Sequence, residues 1–405
     1  MEAKRGSRLS CNGETAIMKV RPLILVMGTT ASGKTRLALQ LAQALNGEII
    51  CGDALQLWQG ISILSAAPTL AEQTAIKHHL FGLYAPFQKE DGSKFVYEMK
   101  TVRDWYANVC NVLREIQPPS IPIMVGGTHY FFLFFLSQPG TKDLLCSIGL
   151  QPILLFCDAH ASLTSHVATR VVSMIRQGLL NEVSLLLSNL EPNRVTRIVD
   201  DYVRDGVSDG ILQAIGLREF VLAAQQSDAF RGLVENGSLS KLDPLLVSTY
   251  ADALFCSILN DTSTRADGIL RFADLLQIPM EAALQLGTVL LGVFDNTVAY
   301  AKQQRKWARK LERHGLSILH IDTSDWKEDN IMPLILDEVA KVSCYAKINY
   351  TFLPLGPQIL YCDTCKVSIT GEKVYQEHIR SRAHRRRLNN ERKKSTCDGS
   401  HPWPG

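Results

Sequence analysis

Hydrophobic positions along the chain follow two rhythms. Short, unbroken apolar runs recur at Leu23–Met27, Gly47–Cys51, Ile121–Val125, Gln151–Cys157 and Ser317–Asp322. Runs of this length, rich in branched side chains, predict strands covered on both faces. Between them the apolar spacing becomes helical. Arg36–Leu45 offers Leu37, Leu39, Leu41 and Leu45 to a core, and Glu98–Ile116 repeats Met99, Val102, Trp105, Val109, Val112, Leu113 and Ile116 until Pro118, Pro119 and Pro122 end it. Strands alternating with helices predict an α/β fold with a parallel sheet. From Ala161 the pattern is mainly helical. Val167, Val171, Met174, Leu179, Val183 and Leu186 form one apolar stripe, and further helices are predicted over Pro244–Asn260, in segments across Ala266–Leu290, and over Val298–Arg313. Phe131–Leu136 is intensely apolar but far shorter than the ~18 residues a membrane span requires, and it reads as a buried helix start. The expectation is a chain with no membrane partner.

The joints between these elements carry the candidate chemistry. The first strand runs into Gly28-Thr29-Thr30-Ala31-Ser32-Gly33-Lys34-Thr35, a G-x-x-x-x-G-K-T pattern between a strand and a helix. That is a P-loop in its required context: backbone N–H groups cradle phosphate, Lys34 reaches its outer oxygens and the Thr35 hydroxyl can hold Mg²⁺. The second strand ends at Gly52-Asp53-Ala54-Leu55-Gln56. Asp53 reads equally as a carboxylate that organises Mg²⁺ or accepts a proton at the crevice of a parallel sheet, and as a turn cap. Gly126-Gly127-Thr128 closes the next strand beside the same crevice, or makes a tight structural turn. His78 and His79 are adjacent and point to opposite sides, which argues against a metal pair.

Composition sharpens the C-terminal end. The 405 residues carry a net charge of only +3, with 46% apolar residues, enough for a sizeable core. Basic residues nevertheless crowd the end of the chain. Ten cysteines without a paired framework fit a reducing compartment. Cys362 and Cys365 stand apart: with His378 and His384 they give C-x₂-C-x₁₂-H-x₅-H, the spacing of a Cys₂His₂ zinc site, with a helix over Val374–Leu388 supplying the imidazoles. Arg380, Arg382, Arg385, Arg386 and Arg387 surround that helix and suit a phosphodiester backbone. Lys4, Arg5, Arg8, Lys19 and Arg21 give the first twenty-one residues at most a weak mitochondrial-type lead, and a disordered tail over 1–20 is the simpler reading.

Taken together, these segments resemble the tRNA isopentenyltransferases, or tRNA dimethylallyltransferases, of the eukaryotic kind with a C-terminal matrin-type zinc finger. The carriers are Gly28–Thr35, Asp53–Gln56, Pro68, His78-His79-Leu80 and Gly126-Gly127-Thr128-His129-Tyr130. They continue with Arg170-Val171 and Met174, Gly178-Leu179-Leu180 and Glu182, Gly210-Ile211 with Gln213-Ala214-Ile215-Gly216 and Glu219, and Tyr300-Ala301-Lys302-Gln303-Gln304 with Trp307. The resemblance implies a P-loop core over 21–345 with a helical tRNA-binding region at about 160–315, a linker over 346–359, a finger over 360–390 and a basic tail over 391–405. It implies transfer of a dimethylallyl group from dimethylallyl diphosphate to N6 of the adenosine next to the anticodon. Gly28–Thr35 and Mg²⁺ would then hold the diphosphate, Asp53 would accept the N6 proton and Thr30 would position the leaving oxygen. Asp53, Ala54, Leu55, Gln56, Thr128, Gln213, Gln303, Gln304 and Arg305 would meet tRNA, and Zn²⁺ would sit on Cys362, Cys365, His378 and His384. A monomer is expected, cytoplasmic with mitochondrial or nuclear pools open.

The chain also departs from the family pattern. Only Phe131 to Gln151 stands where the family has a long helical segment with a His-Pro-(Asn/Asp)-Asp-x-Arg-Arg element, and that element is absent. Gln303, Ala67 and His166 replace basic residues expected at their positions. Two further readings stay open: an RNA-binding homologue with impaired catalysis, and a P-loop small-molecule kinase, which would leave the finger without a role.

Overall fold

The computed structural model of the protein describes residues 20–85, 88–89, 95–96, 101–189, 210–259, 272–326, 328–343, 359–362, 364–365, 367–370, 372–382 and 384–389. Each long apolar run is a strand: β1 (Arg21–Gly28), β2 (Gly47–Cys51), β6 (Ile121–Gly126), β7 (Leu150–Asp158) and β8 (Ile318–Asp322). A two-residue strand, β3 (His78–His79), and a small hairpin of β4 (Gln88–Lys89) and β5 (Phe95–Val96) complete the first part of the chain. The main sheet has the order β3-β2-β6-β1-β7-β8, and all its pairings are parallel.

β1 sits centrally, which explains its continuous apolar character. Its alternation splits the core in two. Ile24 and Val26 face Leu37 and Leu41 of α1 (Lys34–Leu45) together with Ile335 and Val339 of the last core helix. Leu23, Leu25 and Met27 face Trp105, Phe132 and Phe135 on the other side. Burying side chains of this size contributes about 1.5–3 kcal/mol each. The expected face of α1 is corrected: Leu37, Ala38, Leu41 and Ala42 are buried, while Leu39 and Leu45 lie at its margin. α2 (Ser62–Ser65) and α3 (Leu70–Ala75) are short. α4 (Val102–Glu115) opens on a capping box in which Thr101 and Asp104 satisfy each other's backbone N–H groups, and the predicted residues Glu98 and Met99 lie outside the described residues.

α5 (His129–Ser137) buries all of Phe131–Leu136, and α6 (Pro139–Ser147) starts on a proline and leads directly to β7. The second half is helical, as expected: α7 (Leu163–Arg176), α8 (Leu179–Asn189), α9 (Leu217–Gln226), α10 (Asp228–Glu235), α11 (Pro244–Leu259), α12 (Met280–Arg313) and α13 (Glu328–Ser343). Here the sequence reading is corrected again. The end of the stretch predicted across Ala266–Leu290 and the helix predicted over Val298–Arg313 join into α12, a single 34-residue helix, while residues 266–271 lie outside the described residues. Between the two, Asn296 donates to Glu219 at 2.6 Å and Thr297 is buried, and the helix continues through them. Among the described residues α12 is also the one helix long and apolar enough to cross a membrane. Its apolar residues, Ala282, Leu286, Leu290 and Val293 among them, are spent on the protein core.

Candidate active site

β1 delivers the P-loop. Gly28 can have no side chain: a Cβ there would lie 2.5 Å from the Cys157 carbonyl oxygen on β7. The loop then turns through two left-handed residues, Ala31 (φ 60) and Gly33 (φ 74), before α1 begins. Ser32 donates its hydroxyl to the Thr29 carbonyl at 2.7 Å, and the Lys34 ammonium rests on the same oxygen at 3.2 Å. Thr29 is fully buried, with its N–H on Cys157 and its hydroxyl 3.3 Å from Asp158.

The ends of β2 and β6 meet beside this loop. A Cβ on Gly126 would collide with the Gly52 carbonyl, so the two strand ends converge only because residue 126 is a glycine. Asp53 uses both carboxylate oxygens: Oδ2 accepts the Gly127 N–H and Oδ1 the Leu55 N–H, each at 3.0 Å. The turn-cap reading therefore holds, and the cap stands in the crevice. The Thr128 hydroxyl accepts the Ala54 N–H at 2.9 Å, and Gln56 donates to the carbonyls of Ser65 and Ala66. Gly127 is the meeting point, since a Cβ on it would lie 2.8 Å from Gln304 Nε2, 3.1 Å from Asp53 Oδ2 and 3.5 Å from Lys34 Cε.

α12 closes the site from above. Buried Gln304 accepts the Thr30 N–H on Oε1 at 2.7 Å and donates Nε2 to the Gly127 carbonyl at 2.9 Å. His129 lies between the carbonyls of Gly28 (3.2 Å) and Gln304 (3.1 Å), where burial and the neighbouring Lys34 push its pKa down to about 4. Arg305 forms a two-pronged pair with Asp158 at 2.7 and 2.9 Å, which fastens α12 to the end of β7. Of the residues implied to meet tRNA, Arg305 is thus held inside the protein and Gln303 lies on the exposed face of α12 away from the cavity.

These parts enclose a cavity of about 490 Å³. Thr30, Lys34, Thr35, Asp53, Ala54, Leu55, Gln56, Thr128, Gln213 and Gln304 line it as the sequence reading placed them. Gly28, Thr29, Ala31, Ser32 and Gly33 shape the loop instead. The sequence reading gave no site role to six polar lining residues, Ser65, Arg170 of α7, Arg218 of α9, and Asn296, Thr297 and Tyr300 of α12, although Arg170 and Tyr300 stand among the residues that carry the resemblance. Arg170 carried a signal: an arginine one turn from Val167 and beside Val171 on a buried stripe. Burial lowers the Lys34 pKa to about 8, with Asp53 opposing and Arg170 reinforcing the fall. Burial also depresses Arg170, while Asp53 pulls it back up. Two desolvated cations therefore flank one carboxylate, an arrangement that draws in an anion.

The finger is built separately. β9 (Ile359–Cys362) and β10 (Val367–Thr370) form an antiparallel hairpin, followed by α14 (Glu372–Ile379). The ligand helix differs from the expected Val374–Leu388: it breaks after Ile379 at Arg380-Ser381, and residues 384–389 are helical again. The break turns His384 back toward the sulfurs, its Nδ1 lying 3.3 Å from Cys362 Sγ and 3.4 Å from Cys365 Sγ. All four ligand atoms lie within 4.8 Å of one another, and His378 Nε2 is buried without another partner. Zn–S bonds of about 2.3 Å and Zn–N bonds of about 2.0–2.1 Å fit such a tetrahedron. This cluster is a structural zinc site.

Comparison with known proteins agrees with this geometry. Residues 56–145 match the model of the IPP transferase family and residues 360–384 that of the C2H2-type zinc fingers. The tRNA dimethylallyltransferase of Mus musculus is 21% identical over 439 residues, covering 94% of this chain and 89% of that protein. Over most of its length the chain is similar to tRNA dimethylallyltransferases. The family member of Desulfitobacterium hafniense is 42% identical over 181 residues, so that this chain spans about half of its length (51%). A solved structure described as a eukaryotic dimethylallyltransferase acting on tRNA aligns over 93% of this chain and 99% of its own, with TM-score 0.46 and 17% identity. In this chain α5 and α6 fill the short Phe131–Gln151 stretch as a packed pair of helices.

Proposed function

We propose that this chain transfers a dimethylallyl group from dimethylallyl diphosphate to N6 of the adenosine next to the anticodon of tRNA, releasing diphosphate. One observation carries the reading: Lys34, Arg170 and Asp53 face a single cavity, so a diphosphate cradle and a base share one chamber. The C1–O bond of the donor breaks toward the cradle, and Lys34 and Arg170 take up the charge that grows on the leaving oxygen. Thr30, at the cavity wall, positions that oxygen. The N6 lone pair bonds to C1 and the amine loses a proton to the Asp53 carboxylate, which its two backbone N–H partners hold in place. Thr35 and Asp53 present oxygen donors to the same cavity, a donor set that fits Mg²⁺. When bound there, Mg²⁺ would supply further charge neutralisation. The adenine must leave its stack to reach C1, entering past Gln56, Gln213 and Thr128. The zinc finger, with its run of arginines, grips the tRNA backbone by charge and shape.

Incubation with labelled dimethylallyl diphosphate or labelled ATP plus bulk tRNA tests this. Label should enter tRNA from the prenyl donor only, and label entering from ATP alone overturns the proposal. The missing His-Pro element favours one second reading, an RNA-binding homologue. It predicts tRNA binding with no transfer from either donor.

A further inference from the structure

We propose that Trp326 sets the class of donor the P-loop accepts: a diphosphate carrying an alkyl chain is admitted and one carrying a nucleoside is excluded. This rests on the reading of Gly28–Thr35 as a diphosphate cradle. The segment after β8 is fastened at several points. The Thr323 N–H donates to the Asp158 carbonyl at 3.0 Å, and the Ser324 N–H to Asp322 Oδ1 at 2.9 Å. Ser324 Oγ accepts the Ala161 N–H, and its carbonyl accepts the Ser162 hydroxyl, both at 3.1 Å. The segment therefore delivers Trp326 to a fixed place.

That place is the outer edge of the phosphate cradle. Two carbons of the six-membered indole ring would lie 3.2 and 3.4 Å from a Cβ on Gly33, and the Arg36 guanidinium stands 4.7 Å over the ring. A slot between a glycine backbone and a guanidinium plane, next to bound phosphates, is the setting a nucleobase needs for stacking. Trp326 fills it from within the chain. The ring is held by packing alone, because its Nε1 is buried without a hydrogen-bond partner. Thr30, Lys34 and Thr35 face the cavity, whose lining does not include Trp326, so the cradle opens toward Asp53 and Arg170 and is closed toward α1. An alkyl group leaving the diphosphate has a path into the cavity. A nucleoside leaving on the outer side has none.

Calorimetric titration of the full-length protein with inorganic diphosphate and with GDP tests this. Guanine is chosen because adenine resembles the acceptor base and could enter from the cavity side. The wild-type protein should bind GDP on the order of 100-fold more weakly than diphosphate, and Trp326→Ala should narrow that gap about tenfold with diphosphate affinity nearly unchanged. Trp326→Phe should behave as wild type. Arg36→Ala, at an exposed position, loosens the same slot without touching the core and should shift the ratio in the same direction, so it decides the matter if Trp326→Ala fails to fold. Equal affinity of the wild type for GDP and diphosphate, or an unchanged ratio in Arg36→Ala and any folded Trp326→Ala, overturns the proposal. Wild-type protein that binds no diphosphate overturns the cradle reading with it. Absent prenyl transfer with the expected ratios overturns only the proposed reaction.

Discussion

The Gln304 side chain, carried on α12, donates to the carbonyl oxygen of Gly127 at 2.9 Å while its own oxygen accepts the Thr30 N–H at 2.7 Å. One buried amide thus ties the P-loop to the end of β6. Gln304→Leu would leave the Thr30 N–H without a partner, at a cost of about 1–3 kcal/mol, and the Gly127 carbonyl with the Tyr300 hydroxyl at 3.3 Å. The expected outcome is a folded protein destabilised by ~1–3 kcal/mol in denaturant titration, with donor affinity reduced because the loop is no longer held. Gln304→Glu keeps the acceptor for Thr30 but adds negative charge beside the diphosphate. Its stability loss should be smaller than that of Gln304→Leu and its donor KM higher. Equal KM for the two variants would contradict this role.

Asp53 serves as a cap and, in the proposed reaction, as the proton acceptor, and Asp53→Asn separates the two. The amide can still accept one of the two backbone N–H groups, so the β2 turn should persist. Loss of the general base should lower the transfer rate by about 10²–10⁴-fold. Donor and tRNA affinities measured by titration should change little by comparison. A variant that retains full rate would remove Asp53 from the chemistry and leave it a cap.

Much of this site was legible because its parts are local in sequence. Gly28–Thr35, Gly126-Gly127-Thr128 and Asp53 each follow a strand that its apolar run betrays, and in a parallel sheet strand ends gather on one side. The finger was legible for the same reason, since four ligands at fixed gaps specify it. Arg218 and Asn296 were not, because they reach the cavity from helices far apart in the chain, and nothing local distinguishes a cavity-facing polar residue from a solvated one. The role of Gln304 was invisible for a related reason: it depends on α12 being continuous through Asp295-Asn296-Thr297, where Asn296 donates to Glu219 on α9. The left-handed Ala31 is another case, a conformation imposed by the loop and not by the residue.

His129 makes the fold acid-sensitive. Its pKa is pushed down to about 4 in the folded chain, against an ordinary value near 6.5, because burial and Lys34 disfavour the imidazolium. The unfolded chain therefore binds this proton first as pH falls. Stability due to the neutral ring is fully present above about pH 6.5 and is lost progressively toward pH 4, by up to about 3 kcal/mol. His129→Asn removes the titrating group and keeps a donor for one of the two flanking carbonyls. The slope of unfolding free energy against pH between 6.5 and 4 should be shallower in the variant than in the wild type. Parallel slopes would show that His129 does not carry this sensitivity.

The finger and the cavity should separate under chelation. Cys362 and Cys365 are buried with His384 around a single point, and a hairpin plus an eight-residue helix has too little apolar surface to hold that arrangement without metal. A strong chelator, or Cys365→Ser, should therefore unfold residues 360–389 while diphosphate binding at the P-loop is unchanged. Arg380, Arg382, Arg385 and Arg386 are exposed on the metal-held segment, so unfolding disperses a cluster of charge that was set against phosphates. For single-stranded or duplex RNA contacts, each phosphate neutralised steepens the fall of log affinity with log salt by about 0.7–0.9. If two or three of these arginines meet the tRNA backbone, the metal-free protein should bind tRNA more weakly at low salt and with a slope shallower by about 2. Equal slopes in the presence and absence of zinc would mean that the finger contributes no phosphate contacts, and the arginines would then serve another partner.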